Sequence, residues 1–117
     1  MSVHTWAPSD QIISGSSSEV INDMEITLTT KGKPLLISWA FSCISSGGSP
    51  QILLYVDGEQ KLQFLDSIGV NHINSYTYVL TDISAGEHTF QLKANKGNAS
   101  NITINAYTEK TFTITEI

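Results

Sequence analysis

Hydrophobic and polar residues alternate in short runs along most of the chain, and turn-forming residues separate the runs. Residues 24–30 place three apolar side chains on one side and acidic or hydroxyl side chains on the other. The strongest run covers residues 35–43, where every odd position is apolar: Leu35, Ile37, Trp39, Phe41 and Cys43. A period of two is typical of β-strands with one buried face. The pattern therefore predicts strands in both places, and no segment reads as a helix.

A two-residue turn joins the next pair of runs. Asp57 and Gly58 separate the apolar residues 52–56 from the strand that contains Leu62 and Phe64. Asp-Gly readily adopts the positive φ angles of a tight hairpin, so this segment predicts two antiparallel strands. Residues 66–75 form the longest predicted irregular loop in the domain. Further strands are predicted at residues 76–80, 88–94, 102–106 and 112–114.

These runs sum to about eight strands, at the spacing expected of an antiparallel β-sandwich of the jelly-roll type. Residues 24–117 are predicted to form this single domain. Residues 1–23 are less regular and read as an extended N-terminal arm, with turn and linker composition at residues 14–18. The arm contains Trp6, whose large ring gains by burial, so we expect the arm to dock onto the domain or onto a partner.

Composition supports one domain without a covalent or metal staple. A chain of 117 residues buries roughly 65% of the surface that its unfolded form exposes. Its single cysteine, Cys43, cannot form an intramolecular disulfide, and its place in the alternation predicts a core position. The fold is therefore expected to depend on apolar burial.

Charge argues against two classes of partner. The chain has six Lys, no Arg and eleven acidic residues, for a formal net charge of -5. Nucleic acids are bound by clustered basic residues and their bases are read largely by Arg, so we expect no nucleic-acid partner. Acidic membrane surfaces are disfavoured for the same reason. The N-terminus lacks the basic and apolar regions of a signal peptide, which predicts a soluble protein made in the cytoplasm.

Candidate chemistry is sparse. The chain lacks the Gly-x-Ser-x-Gly turn of many serine hydrolases, and its histidines, His4, His72 and His88, are scattered. Neither the histidines nor Cys43 show the spacing of a zinc site, and the Asp57 turn lacks the alternating oxygen ligands of a calcium loop. The sequence therefore predicts no catalytic residues, no metal and no cofactor.

Three side chains on predicted inward faces have more than one interpretation. His88 shares a face with Phe90, so a buried histidine hydrogen-bonded to backbone or to a neighbouring side chain is favoured over a pH switch. Tyr76 and Tyr78 share one face of a strand. They are interpreted first as core or as a seam between subunits, and second as a platform for a sugar ring.

The order of several segments resembles that of small jelly-roll modules from the virions of tailed bacteriophages. These segments are LTTKGKPLLI at 28–37, LYVDG at 54–58 and AGEHTFQL at 85–92, followed by a Gly/Asn/Ser turn, an Ile-rich strand and a closing strand. The resemblance covers residues 24–117. Such modules occur as capsid decoration proteins and as fibre or baseplate tips, and many are trimers with a remote likeness to the tumour necrosis factor and C1q fold. The resemblance carries no catalytic residues and implies that the C-terminal strand takes part in assembly.

The resemblance implies a structural protein at the virion surface. The first expectation is a decoration or cement protein that binds the major capsid protein as a homotrimer, with the arm residues Val3, Trp6 and Pro8 docking onto the shell. The alternative is a fibre or baseplate module that binds host glycans. Its predicted contact residues lie in loops: Asn71, His72, Asn95 and Asn98. A secreted domain related to tumour necrosis factor, C1q or lectins is a remote third possibility.

Overall fold

Ten β-strands form the described part of the chain. The computed structural model describes residues 2–5, 11–15, 17–45, 50–65, 72–97, 99, 101–105 and 111–117, with the backbone alone for residues 2–5, 45, 65, 72, 73 and 105. The strands are β1 (Ser2–Thr5), β2 (Gln11–Ile13), β3 (Glu19–Thr30), β4 (Leu35–Ser45), β5 (Gln51–Val56), β6 (Glu59–Leu65), β7 (His72–Leu80), β8 (Gly86–Asn95), β9 (Ile102–Asn105) and β10 (Thr111–Glu116).

The strands form two antiparallel sheets. In the six-stranded sheet, β4 pairs with β7 along one edge and with β10 and β9 along the other. β1 then adds to β10, and β2 adds to β9. The four-stranded sheet has the order β3-β8-β5-β6. This arrangement confirms the predicted all-β sandwich. Within the described ranges there is no helix with the length and apolarity needed to span a bilayer.

The core lies between the sheets and is built from the predicted alternation. All five apolar odd positions of residues 35–43 are buried, including Cys43 and Trp39. The facing sheet contributes Ile26, Phe90 and Leu92 from its inner side. Burying a large apolar side chain stabilises a fold by roughly 1.5–3 kcal/mol. The core is continuous across both sheets, and Cys43, the single cysteine of the chain, lies buried in it.

The Asp-Gly hairpin is confirmed. Val56 pairs with Glu59, and the two residues between them have φ angles of 53° at Asp57 and 82° at Gly58. Two successive positive φ angles are the signature of a type I′ turn, whose twist matches that of the flanking strands. The hairpin ends over β8, because the Asp57 amide donates to the Thr89 carbonyl at 2.8 Å.

The described parts of the N-terminal segment differ from an extended arm. β1 pairs with β10 over four residues and β2 pairs with β9 over three, while β3 begins at Glu19 rather than at residue 24. Ile13 and Ile21 are fully buried. The strand pairing of residues 2–5, 11–13 and 19–23 therefore corrects the prediction of an extended arm there. Strands of three or four residues are too short to show alternation, and Trp6 and Pro8 lie outside the described residues.

Residues 72–75, predicted to belong to an irregular loop at residues 66–75, lie in a strand instead. β7 begins at His72, which pairs with Cys43, and the pairing continues without interruption to Leu80. Polar residues at 74 and 75 made this segment read as a loop. Asn74 nevertheless pairs with Phe41 within the strand, and the Trp39 indole Nε1 donates a hydrogen bond to its side-chain oxygen at 2.9 Å.

Candidate functional site

Three aromatic side chains, those of Trp39, Phe64 and Tyr76, meet where β6 and β7 lie at the same side of the sandwich. Tyr78 follows two positions along β7, and we call these four residues the aromatic edge. The register places Tyr76 beside Trp39 and Tyr78 beside Ile37, so both tyrosines are on the core-facing side of β7. Among the described strands, however, β7 is the last of its sheet, and Tyr76 and Tyr78 remain 44% and 39% exposed. A full core role for these tyrosines is therefore wrong.

Tyr76 is held by the rings on either side of it. Its ring stacks on Trp39 with centroids 5.9 Å apart, and the Phe64 ring lies 4.0 Å away on a tilted plane. Phe64 in turn meets Trp39 edge-on at 5.5 Å. Aromatic pairs of this kind contribute about 0.5–1.5 kcal/mol each beyond the area that they bury. The three rings join the two sheets and hold the partly exposed Tyr76 ring in place.

The chemistry of the aromatic edge suits a flat amphipathic ligand. Tyr76 and Tyr78 are two positions apart on one strand, which separates them by about 7 Å along the strand axis. Each presents an apolar ring with a hydroxyl at its tip. Ser75 and Thr77, which alternate with the tyrosines and point to the opposite face of β7, are also uncharged. The edge can therefore combine apolar contact with neutral hydrogen bonding.

A second candidate site lies at one end of the sandwich, between the β5–β6 hairpin and the connection from β7 to β8. It is a shallow pocket of about 200 Å³ lined by Val56, Asp57, Glu59, Lys61, Asp82, Ile83, Ser84 and His88. Lys61 lies 3.7 Å from the Asp82 carboxylate and 3.8 Å from that of Glu59. Exposed pairs of this kind contribute little, about 0–1 kcal/mol.

His88, one of the residues that line this pocket, connects β8 to the β5–β6 hairpin and to the β7–β8 connection. Its Nδ1 lies 2.5 Å from Asp57 Oδ2, and its Nε2 lies 2.8 Å from the Ser84 carbonyl oxygen. The other Asp57 oxygen accepts the Thr89 amide at 2.8 Å. Because a carboxylate and a carbonyl both accept, each ring nitrogen of His88 acts as a donor and the imidazolium form is favoured. The predicted hydrogen-bonded histidine is confirmed, although its side chain is 14% exposed rather than fully buried.

The same contacts shift the pKa values of His88 and Asp57. The hydrogen bond to Asp57 raises the pKa of His88 above 6.5, and the Ser84 carbonyl adds to the rise against partial desolvation. The hydrogen bond from His88 lowers the pKa of Asp57 below 3.8, and the Thr89 amide lowers it further. Both shifts favour the ion pair of a protonated His88 and an ionised Asp57.

The contacts from Ser84 to His88 and from His88 to Asp57 resemble those of a serine hydrolase triad. The His88 nitrogen that faces the Ser84 hydroxyl, however, is not free to accept its proton. The Ser84 hydroxyl lies 3.4 Å from His88 Nε2. The same Nε2 donates a hydrogen bond to the Ser84 carbonyl oxygen at the shorter distance of 2.8 Å. A general base needs a free lone pair facing the nucleophile. The trio therefore serves to fasten the hairpin to the β7–β8 connection, and we call it the His88 clasp.

The His88 clasp makes stability depend on pH in a defined direction. The pKa of His88 is raised on folding, so its contribution is complete below about pH 6.5 and is lost as pH rises through the folded-state pKa. The pKa of Asp57 is lowered, so its contribution is present above about pH 3.8 and is lost on further acidification. We expect the wild-type melting temperature to fall as pH rises above about 6.5, and to fall less in His88→Gln. Parallel melting profiles for the two proteins would contradict this assignment.

The structure describes only some of the sequence-predicted site residues. Asn71 and Asn98 lie outside the described residues, as do Trp6 and Pro8, and Val3 and His72 are placed by backbone alone in β1 and β7. Asn95 ends β8, where its amide nitrogen contacts Ser18 at 3.1 Å and Gln51 at 3.0 Å while its oxygen accepts the Gly97 amide at 2.9 Å. These bonds give Asn95 a structural role. Its assignment to a glycan contact stays a prediction.

The residues that sequence reasoning missed interact over long separations. Phe64 packs against Tyr76 in the aromatic edge, Asn74 accepts the hydrogen bond from Trp39, and Asp57 binds His88 from 31 residues away. The Asp57 turn and the inward face of His88 were each visible in the sequence. Their contact was not, because it depends on the order of strands in the four-stranded sheet.

Comparison with known proteins supports the fold class. No family model matches the chain, and no curated protein matches it. Among solved structures, the chain is similar to the CBM36-1 domain of a multidomain xylanase from the hindgut metagenome of Trinervitermes trinervoides, with a TM-score of 0.54 and 14% identity. The match covers 100% of this chain and 98% of that chain. The protein therefore belongs to the class of jelly-roll-like antiparallel β-sandwiches, and at this identity the likeness concerns the fold alone.

Proposed function

We propose that the protein is a non-catalytic carbohydrate-binding module whose ligand lies on the aromatic edge. The observation that carries this proposal is the pair of partly exposed tyrosines, Tyr76 and Tyr78, at alternate positions of β7. The fold is shared with a domain of the carbohydrate-binding class that belongs to a xylanase. This likeness supports a carbohydrate as the ligand, and the two tyrosine rings are the proposed contact surface for it.

The geometry favours sugar binding for two physical reasons. Trp39 and Phe64 fix the Tyr76 ring before any ligand arrives, so binding costs little side-chain entropy at this position. The described stretch from Asn74 to Leu80 has no charged residue. A neutral polysaccharide can therefore bind along this stretch without removing water from a charged side chain of β7.

This proposal moves the glycan site away from the loops. The sequence-based alternative placed host-glycan contacts at Asn71, His72, Asn95 and Asn98, whereas the proposed platform lies along the body of β7. A module of this kind serves equally in a polysaccharide-degrading enzyme or in a fibre or baseplate tip that binds cell-surface glycans. The chemistry proposed for the aromatic edge is the same in both settings.

The test is binding to insoluble xylan, cellulose and chitin, together with a glycan array. Tyr78→Ala and Tyr76→Ala are each expected to weaken binding at least tenfold, because truncating an aromatic anchor commonly costs 2 kcal/mol or more. Tyr55→Ala is the matched control, since Tyr55 lies in the other sheet with Lys93 4.1 Å from its ring centroid. Wild-type protein that binds none of these glycans, or equal binding by all variants, would reject the proposal.

The second proposal is a structural role on a phage virion, as a homotrimeric decoration protein on the major capsid protein. It is supported by the segment resemblance across residues 24–117. Trp6 and Pro8, its proposed docking residues, stay predictions. The test is binding of labelled protein to purified phage heads. Label over the whole head that depends on residues 1–10 would favour this role over glycan binding. Absence of label from the particles would reject it.

A further inference from the structure

The edge strands of the two sheets differ in the features that prevent pairing with another chain. β6 carries Glu59 and Lys61, and β3 carries three acidic residues and a register shift between Val20 and Glu25. Charges and bulges at sheet edges prevent pairing with another chain. Among the described strands, β7 pairs with β4 alone, and its residues 73–80 contain no charge and no proline. The other terminal strands, β1 and β2, have only four and three residues.

We propose that two copies of the chain associate through β7, pairing antiparallel about a two-fold axis at Thr77. A two-fold contact uses the same surface on both copies, so the strand must complement itself. Pairing about Thr77 sets Thr77 against Thr77 of the second copy and Tyr76 against its Tyr78. Ser75 then faces Val79 of the second copy. The six-stranded sheets become one continuous sheet across the pair.

The sequence of β7 fits this register. Thr-Thr and aromatic-aromatic pairs are among the favourable cross-strand combinations, at about 0.2–1 kcal/mol each. The two Tyr76-Tyr78 pairs and the central threonine pair are of these kinds, and no like charges face each other. Each copy carries a net charge of -5. An uncharged strand is therefore the surface on which two copies meet with the least repulsion.

The pairing also enlarges the aromatic edge, and this consequence rests on the proposed function. Tyr76 and Tyr78 point to the same face of the sheet in both copies, because residues directly opposite in a pair share a face. Four tyrosine rings then line one surface across the axis. A ligand that spans the surface is an extended chain of several sugar units rather than a single ring.

The association is tested by the mass in solution of the full chain without ligand. A single chain has a mass of 12.8 kDa, and sedimentation equilibrium is expected to give twice that value. Thr77→Lys places two like charges opposite each other and is expected to weaken the dimer at least tenfold. Thr77→Glu is expected to do the same. An equimolar mixture of the two variants should recover the dimer, since Lys then faces Glu.

Thr29→Lys is the matched control, because Thr29 is an exposed threonine on β3 and pairs with Glu87. It should dimerise as the wild type does. A monomeric or trimeric wild type, or a mixture of Thr77 variants that stays monomeric, overturns the inference. Dimerisation is measured without sugar and glycan binding is measured per chain. A dimer without glycan binding therefore rejects the proposed function alone, and a monomer that binds glycan rejects the β7 contact alone.

Discussion

Ile13→Ala is expected to destabilise the domain by about 2–5 kcal/mol, while Ile12→Ala changes stability by no more than about 0.5 kcal/mol. The two isoleucines are neighbours on β2 but point to opposite faces. Ile13 is fully buried opposite Ile102, whereas Ile12 is 66% exposed. Urea unfolding of both variants measures the difference directly. Equal costs for the two substitutions would mean that β2 does not contribute to the core.

The same strand makes removal of residues 1–18 a severe change. If these residues were an arm, the remaining chain would fold normally. In the structure their removal deletes β1 and β2, exposes the edges of β10 and β9, and takes Ile13 out of the core. The combined loss is comparable with the whole stability of a typical domain, about 5–15 kcal/mol. We therefore expect a truncated chain without cooperative unfolding, and a truncated chain with wild-type stability would contradict the observed pairing.

Trp39→Ala is expected to cost about 3–5 kcal/mol, because it removes a ring that is 98% buried between the sheets. Trp39→Phe keeps a ring against Tyr76 and Phe64 but loses the hydrogen bond to Asn74, so its cost should be smaller. A buried polar group that loses its partner costs about 1–3 kcal/mol. Chemical unfolding of both variants checks this order.

Trp39→Ala should also weaken any ligand held by Tyr76, because the tyrosine loses the ring on which it stacks. Binding is measured below the melting temperature of the variant, so that unfolding does not contribute. The interpretation would be wrong if Trp39→Ala and Trp39→Phe were equally stable, since the two differ in the ring that fills the core.

The strands that sequence predicts well are those whose alternation persists over many residues. Residues 35–43 are an example, because every apolar odd position faces the core. The Asp57 turn is equally clear, because its conformation depends on two adjacent residues. β1 and β2 could not be predicted in this way. Their strand conformation comes from pairing with β10 and β9, which are about 90 residues or more distant along the chain.

The candidate site illustrates a different limit. Alternation places Tyr76 and Tyr78 on an inward face. Only the strand order shows that β7 is the last of the described strands in its sheet and that both tyrosines are partly exposed. Alternation likewise places His88 inward. It does not show that the β5–β6 hairpin brings Asp57 to one ring nitrogen and that the β7–β8 connection brings the Ser84 carbonyl to the other. Both features depend on tertiary arrangement.

The pairing of β1 with β10 has a consequence for how the domain can be joined to other proteins. Ser2 lies opposite Thr115, so the two ends of the folded chain are neighbours in one sheet. Cα atoms of directly paired residues are about 4.5–5.5 Å apart. A domain with adjacent termini can be inserted into a surface loop of a larger protein through two short joints, and its ends can be linked while new ones are opened elsewhere. The sandwich is thus suited to serve as a cassette within a longer polypeptide.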